Sequence, residues 1–474
     1  MMKKTAQMLA ISLSFVYNRE KHEGEGNFFM LRTYFDPNDF EENSDSKCIQ
    51  AAINEAVKCG CRRVVIPSYN RRSASYLWEI DESILLPSHI TVELQDAHLR
   101  MADGVFCQMF RNSNALEEIG MTPEGLQEDI VIQGVGRSIL DGGVHNGLRE
   151  KTSLKDGLPH IFNNLTIYLH NVKNFKISGL TVRDQRWWGI TFAWAWQGVV
   201  KDIRFEITDK SYRESKTHPW RNQDGIDLRV GCHDIQISDL SGETCDDIVA
   251  LTALAIRKPS FECFYPCDHL SGDIYNVTIR NIVGFNNHCA MVRLLCHNAH
   301  QIYNIDIADL IDATPDTQEM IRTASCVKLG ENDYCNENTS LRCKHGEMHD
   351  ISISNVFSSA KAAVVMNCSV KNAEIRGLHV AKKGFQAISV AKLKAGYYQD
   401  VEDPLNVTTL ENIFVSDVQY ASEREGEPVF YFNAVKPKNF RVDRLSYPAA
   451  HPLEMHTRKQ EDADSVIYEN VIAY

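Results

Sequence analysis

Three stretches of the chain repeat one pattern: DIQISDL at residues 234–240, NVTIRNI at 276–282 and NIDIADL at 304–310. Each begins with Asp or Asn, continues as apolar-x-apolar, and ends with polar residues and another apolar residue. Apolar residues that alternate with period two, many of them β-branched, predict a half-buried β-strand. The repeated unit is therefore a short strand that follows an Asp or Asn.

The pattern recurs along most of the chain. Successive copies start roughly 23 to 46 residues apart, and the interval of 28 occurs twice. Short strands that return about once per 22 to 30 residues, with few helical stretches between them, are typical of a parallel β-helix. We therefore predict an all-β fold, a right-handed parallel β-helix in which the longer intervals are coils with loop insertions. The other copies begin at Asn174, Asp202, Asp350, Asn412 and Asn439, and a weaker one begins at Ala373.

Two other all-β folds also contain many short strands. A β-sandwich is disfavoured because Asn-Gly and Asp-Gly hairpin signals between adjacent strands are sparse. A propeller is disfavoured because it shows a tighter periodicity.

The segment upstream of the repeats has a different pattern. Residues 45–61 are predicted to form an amphipathic helix, and the strand Arg63-Val-Val-Ile follows it. A helix can cover the open end of a β-helix, whose unpaired strand edge would otherwise promote aggregation. The predicted divisions are an N-terminal extension or weak signal-like segment (1–30), the cap and first coils (31–130), the β-helix body (131–450) and a C-terminal tail that packs on it (451–474).

The composition of the chain argues against nucleic-acid binding and membrane association. The 474 residues include 43% hydrophobic and 24% charged residues, and the net charge is -13. A general nucleic-acid binder would show a basic footprint, so nucleic acid is not an expected partner. No stretch approaches the roughly 20 apolar residues that cross a bilayer, so no membrane association is expected.

The cysteines suggest the compartment. Several of the 14 cysteines lie inside predicted strands, for example Cys289 and Cys296, which favours free thiols and a cytoplasmic protein. Secretion is the alternative, since Lys3 and Lys4 precede a short apolar run, although Met30 is also a possible start. The close pairs Cys59/Cys61 and Cys263/Cys267 have no matching second pair, so we expect no metal and no cofactor.

Two acidic motifs carry the predicted chemistry: NQDGID at residues 222–227 and ETCDDIVAL at 243–251. Asp224 and Asp246 are 22 residues apart, about one short coil, so Asp224 should meet the Asp246/Asp247 pair at roughly 4.8 Å spacing. Converging carboxylates repel each other, and the pKa of at least one should rise. A protonated acid beside an ionised base is the pair that breaks a glycosidic bond. A solvated acidic patch or a calcium site would use the same residues.

These motifs resemble those of the glycoside hydrolase family 28 polygalacturonases. That family carries Asn-Thr-Asp-Gly-Ile-Asp and then Gly-Asp-Asp-Cys-Ile-Ala on successive coils of a right-handed β-helix. The resemblance implies that Asp246 is the general acid and that Asp224 and Asp247 activate water for attack with inversion. Asp227 matches the second aspartate of the first motif and is assigned a structural role. The resemblance extends over roughly residues 130–420.

The family's later motifs, Gly-His-Gly and Arg-Ile-Lys, match less well. His288 stands in the place of the catalytic histidine without its flanking glycines. Lys328 suits the lysine, and either Arg322 or Arg293 supplies the arginine; such cations would bind a substrate carboxylate. Asn222 and Trp220, which precede Asp224, are further candidates for substrate binding, Trp220 because tryptophan stacks on sugar rings.

The predicted function is therefore a glycosidase of the polygalacturonase type that cleaves galacturonate-containing, pectin-derived oligo- or polysaccharides. Two alternatives remain open. One is another β-helix carbohydrate enzyme, such as a polysaccharide lyase or a fructan transglycosidase. The other is a non-catalytic glycan-binding β-helix, in which replacing Asp246 would leave ligand binding intact.

Overall fold

The structure is a computed structural model. It describes residues 32–148, 159–210, 222–254, 266–287, 289–297, 300–315, 322–330, 343, 345–390, 408–433, 435–457 and 463–474. Within these ranges, no helix is long and apolar enough to cross a membrane.

The described residues form one α-helix, α1 (Asp45–Lys58), four short 3₁₀-helices and 26 strands. The 3₁₀-helices are η1 (Pro37–Asp39), η2 (Glu118–Met121), η3 (Pro123–Gly125) and η4 (Ile161–Asn164). The strands are β1 (Arg63–Pro67), β2 (Trp78–Ile80), β3 (Ile84–Leu86), β4 (Ile90–Gln95), β5 (His98–Met101), β6 (Phe110–Asn112), β7 (Gln127–Val135), β8 (Ile139–Asp141), β9 (Ile167–Arg183), β10 (Ile190–Glu206), β11 (Ile226–Leu228), β12 (His233–Thr244), β13 (Val249–Leu254), β14 (Ile274–Asn286), β15 (Ala290–His297), β16 (Ile302–Asp312), β17 (Ser325–Leu329), β18 (Met348–Ser358), β19 (Ala362–Met366), β20 (Val370–Val380), β21 (Gln386–Val390), β22 (Thr408–Tyr420), β23 (Phe430–Phe432), β24 (Val435–Tyr447), β25 (Glu454–His456) and β26 (Ile467–Ala473).

The strands stack in parallel, each on the strand one coil earlier. From β12 onwards, every coil supplies one long strand and one short strand, so that β12, β14 and β16 stack on one side and β11, β13 and β15 stack on another. The strands β9 and β10 are long enough to take part in both stacks. This arrangement confirms the predicted right-handed parallel β-helix. The last strands, β25 and β26, continue the two stacks by pairing with β23 and β24.

The long strands β9, β10, β12, β14, β16, β18, β20, β22 and β24 each have a pair of left-handed residues, five positions apart, at which the strand bends. In the coil of β12 the bends are at Asp234 (φ 54°) and Asp239 (φ 58°), and in the next coil they are at Asn276 (φ 54°) and Asn281 (φ 56°). Asn and Asp tolerate this conformation better than other residues with a side chain. The repeated Asp or Asn of the sequence is therefore the residue at which the chain turns a corner. The first-bend row comprises His89, Asp129, Asn174, Gln197, Asp234, Asn276, Asn304, Asp350, Asn372, Asn412 and Asn439.

One copy of the repeat was placed wrongly from the sequence. The sequence pattern predicts that Asp202 starts a strand copy, but Asp202 has φ 55° at the second bend, in register with Gly179 and Asp239. The residue that aligns with Asp234 is Gln197, also at φ 55°. Because Gln197 is neither Asp nor Asn, the sequence pattern concealed the first bend of this coil.

Side-chain amides connect the bends of successive coils. Asn276 Nδ2 donates to Asp234 Oδ1 at 2.8 Å, and Asn304 Nδ2 donates to Asn276 Oδ1 at 2.5 Å. Nearer the C-terminus, Asn412 donates to Asn372 and Asn439 donates to Asn412, both at 3.0 Å. Between the bends, inward-facing apolar side chains stack in the same register and form one continuous core.

The predicted N-terminal cap is present. The helix α1 begins after Ser44, whose Oγ accepts a hydrogen bond from Lys47 N at 3.3 Å. Its buried face, which includes Ile49 and Ile53, belongs to the same core as the first strands. The helix therefore covers the apolar interior at the first coil.

We expect Asn412→Ala to destabilise the protein by about 1–2 kcal/mol, because alanine is disfavoured at φ 56° and both ladder hydrogen bonds are lost. The control Asn412→Gly loses the same bonds but accepts the backbone angle, so it should be less destabilised. Thermal unfolding measures both variants. Equal losses would show that the left-handed angle is not the constraint.

Candidate active site

Four outward-facing residues of the short strands form one row along the helix axis. Asp227 of β11 is in register with Ala250 of β13, Ala250 with Arg293 of β15, and Arg293 with Lys328 of β17. The residues on either side of each member point into the apolar core. Strand alternation therefore directs two predicted substrate-binding cations and one aspartate to the same face.

The two acidic motifs lie on adjacent coils, as their spacing predicts. Gly225 N donates to Asp247 O at 2.9 Å, which places Asp224 beside the Asp246/Asp247 pair. A Cβ atom on Gly225 would lie 2.6 Å from Ile248 O, closer than a side-chain carbon can approach a backbone oxygen. The glycine of the first motif is therefore needed for this close packing of the coils.

Asp224 and Asp227 form a buried acid pair. They are 1% and 0% exposed, and among the described residues their carboxyl oxygens have no hydrogen-bond partner. Burial, and then the charges of Asp227, Asp246 and Asp247, raise the pKa of Asp224 well above its ordinary value. Burial also raises the pKa of Asp227 to about 7, although Arg229 and Arg293 oppose this. The two groups titrate as a pair that retains a proton into the neutral range.

Asp247 is paired with an arginine and a backbone donor. Its Oδ2 lies 2.7 Å from Arg293 Nε, and its Oδ1 accepts a hydrogen bond from Ala290 N at 2.9 Å. The Asp247 side chain is 2% exposed. A buried carboxylate with an arginine and a backbone donor stays ionised, because both favour the charged form. Arg293 thus neutralises an acid of the cluster, in addition to its predicted contact with substrate.

Asp246 is the more exposed member of its pair, and Asp246 Oδ1 accepts a hydrogen bond from Asp247 N at 3.1 Å. Cys289 lies next to it, and ligand atoms of Asp246, Asp247 and Cys289 are all within 4.8 Å of one another. Such a set has suitable donor atoms for a cation, but Arg293 already occupies one side of Asp247. A second set, His89, Glu128 and Asp129, lies on the surface elsewhere.

Asn222 and Arg229 are linked through one tryptophan. Trp188 Nε1 donates to Asn222 Oδ1 at 3.1 Å, and the Arg229 guanidinium lies 4.3 Å from the centre of a Trp188 ring. Arg229 Nη1 is also 3.8 Å from Asp227 Oδ1. Trp188 therefore supports the acid pair through both neighbours. It is 4% exposed and stacks on Trp187, so its ring faces are covered within the protein.

The remaining predicted site residues have different positions. Arg322 is 2% exposed, and its Nη1 donates to Ser359 O and to Lys383 O, the latter at 3.1 Å. This guanidinium fastens later coils together, and of the two candidate arginines it is Arg293 that stands in the row with Lys328. His288 and Trp220 lie outside the described residues.

Sequence reasoning missed two residues of this site, Arg229 and Cys289. Arg229 follows Asp227 by two positions on the same chain segment, so period-two alternation was a usable signal that both point the same way. Cys289 was interpreted as a strand thiol, and nothing in the local pattern indicated its proximity to Asp246.

The buried acid pair predicts how stability depends on pH. A carboxyl group with a raised folded-state pKa contributes stability below its unfolded pKa and loses it as the pH rises through the folded value, about 7 for Asp227. Between pH 5 and pH 8 we expect the wild type to lose at least about 1 kcal/mol more than Asp227→Asn. Thermal unfolding at both pH values measures this difference. The exposed control Asp202→Asn should follow the wild type, and an identical loss in Asp227→Asn would contradict the raised pKa.

One family model matches part of the chain. The model of Glycosyl hydrolases family 28 matches residues 128–263, the segment that contains both acidic motifs. No curated protein matches the chain.

Several solved structures are similar to the chain, and the first of them has a TM-score above 0.5. The mannuronan C-5 epimerase AlgE6 A-module of Azotobacter vinelandii has 10% identity and a TM-score of 0.52, covering 93% of this chain and 99% of its own. The surface adhesin PfbA of Streptococcus pneumoniae has 13% identity, a TM-score of 0.49 and coverages of 93% and 92%. The polygalacturonase of Erwinia carotovora ssp. carotovora has 13% identity, a TM-score of 0.45 and coverages of 92% and 91%. The chain is therefore a right-handed parallel β-helix protein, and its segment of residues 128–263 is similar to the glycosyl hydrolases of family 28.

Proposed function

We propose that the protein is a glycoside hydrolase that cleaves galacturonate-containing, pectin-derived saccharides by an inverting acid/base mechanism. The observation that supports this most strongly is the carboxyl cluster on adjacent coils, with Arg293 and Lys328 in register beside it. The family match covers the segment that carries the two acidic motifs. In keeping with the sequence, we propose a cytoplasmic location and imported oligosaccharides as the substrate.

The proposed roles are those that the sequence resemblance implies for Asp246, Asp224 and Asp247. Asp246, the most exposed, protonates the leaving oxygen. Asp247 is held ionised by Arg293, and Asp224 accepts the proton of the attacking water when its pair with Asp227 is deprotonated. General acid/base hydrolysis requires a protonated carboxyl group beside an ionised one, so the proposal requires that Asp246 holds the proton while Asp224 and Asp247 are ionised.

Lys328 and Arg293 are proposed to bind the substrate. Both side chains are partly exposed, and both lie on the face that carries the acids. A cation in this row would pair with the carboxylate of a galacturonate residue, and Arg293 would do so while it remains paired with Asp247. His288, Asn222 and Trp220 are proposed as further contacts from the sequence resemblance.

Asp246→Asn should lower kcat by at least about a hundredfold, because amide cannot donate the proton that the leaving group needs. A reducing-sugar screen with oligogalacturonides, rhamnogalacturonan fragments and fructans measures it. The control Asp202→Asn exchanges an exposed aspartate at a bend that Asn tolerates, and it should retain activity. An unsaturated, ultraviolet-absorbing product would identify a lyase instead. Bound saccharide with no turnover in either protein would identify a glycan-binding module.

Lys328→Met should raise KM for oligogalacturonides about tenfold with little change in kcat, because it removes a ground-state contact with the substrate carboxylate. On methyl-esterified oligogalacturonides, which lack that charge, KM should barely change. Steady-state kinetics on the two substrates measure the difference. An equal effect on both would show that Lys328 does not recognise the carboxylate.

A further inference from the structure

Cys289 occupies a fixed position between the acidic coils and the next coil. Asn286 Oδ1 accepts a hydrogen bond from Cys289 N at 2.9 Å, and Asn286 Nδ2 donates to Ala290 O. Cys289 O in turn accepts from Ala324 N at 2.8 Å. Asn286 is fully buried, so this turn is held by the protein interior.

The same turn is joined to the acidic motif. Ala290 N donates to Asp247 Oδ1 at 2.9 Å, which fixes the turn relative to the Asp246/Asp247 pair. The Cys289 thiol lies within 4.8 Å of a carboxyl oxygen of Asp246. A thiol is a weak donor, but hydrogen bonds hold the backbone of Cys289 on both sides. Little conformational entropy is therefore lost when the side chain makes this contact.

We propose that Cys289 is a positioning residue for Asp246: its thiol donates a hydrogen bond to the Asp246 carboxylate and orients that group beside the buried acid pair. The proposal rests on the proposed function, in which Asp246 is the general acid. It assigns a role to a residue that the sequence marked only as a free thiol.

The charges around this contact explain why the thiol is the donor. Burial, and then the negative charges of Asp246 and Asp247, raise the pKa of the Cys289 thiol well above its ordinary value, and Asp224 adds to the effect. Arg293 is paired with Asp247. On the neighbouring element, Glu243 pairs with Lys210 and accepts from Asn287. Cys289 therefore remains a neutral S–H next to an acceptor.

A donor to a carboxylate stabilises the ionised form and lowers its pKa. Removing the thiol should consequently raise the pKa of Asp246, and an acid that must be protonated to work would then stay active to higher pH. In Cys289→Ala we expect the basic limb of the kcat/KM profile to move up by about half a pH unit. Cys289→Ser retains a hydroxyl donor and should keep the limb at its wild-type position or below it. A purely structural role would change the magnitude of kcat/KM without moving the limb.

A second measurement does not need turnover. If Asp246 raises the pKa of the Cys289 thiol, Asp246→Asn should increase the thiolate fraction, so alkylation of Cys289 by iodoacetamide at pH 8.5 should accelerate at least about threefold. Peptide mass spectrometry follows Cys289, with the exposed Cys59 of the cap helix as the internal reference. Asp202→Asn is the matched control and should react as the wild type does.

The two measurements separate the two proposals. A faster Cys289 reaction in Asp246→Asn supports the contact even if no saccharide is cleaved, in which case the hydrolase proposal fails alone. Turnover with an unmoved basic limb in Cys289→Ala overturns the positioning role and leaves the hydrolase intact. An unchanged alkylation rate in Asp246→Asn overturns the contact itself.

Discussion

The two left-handed bends of each long strand are the constraint on which the rest of the structure depends. They lie five positions apart, as at Asp234 and Asp239 or at Asn276 and Asn281. Most residues with a side chain pay roughly 1–2 kcal/mol in this conformation. Asn and Asp lower that cost, and their side chains add hydrogen bonds from one coil to the next, such as Asn276 to Asp234. The corners of every coil are thereby fixed in register with those below.

A fixed register is what assembles the candidate site from distant parts of the chain. Asp227 and Ala250 are 23 positions apart, Ala250 and Arg293 are 43 apart, and Arg293 and Lys328 are 35 apart. These intervals differ because the connections between the strands differ in length, whereas the strands themselves stay aligned. Loop insertions therefore alter the surroundings of the site without displacing its row of outward side chains.

The site contains buried carboxyl groups, which a coil with a purely structural role would avoid. Burying Asp224 and Asp227 without full compensation costs free energy, which the pair reduces by retaining a proton. Asp247 is compensated by Arg293, and Asp227 has Arg229 at 3.8 Å. The carboxyl groups of the cluster thus differ in their surroundings, since Asp224 and Asp227 have a raised pKa whereas Asp247 is paired with Arg293. Such perturbed groups are characteristic of functional sites, and this distinguishes the cluster from a solvated acidic patch.

The sequence by itself determined the fold class, the cap helix and the meeting of the two acidic motifs. These features depend on local rules: period-two alternation, Asp or Asn at the bends, an amphipathic helix, and a spacing of 22 residues that equals about one coil. The tertiary structure alone decided the contacts that cross coils. Only in the folded protein does Arg293 lie against Asp247 and Cys289 lie near Asp246. The donation by Arg322 to carbonyl groups of later coils and the position of Asp202 at the second bend were likewise visible only there. The physical reason is that coils differ in length, so the sequence does not specify which side chains become neighbours until the bends set the register.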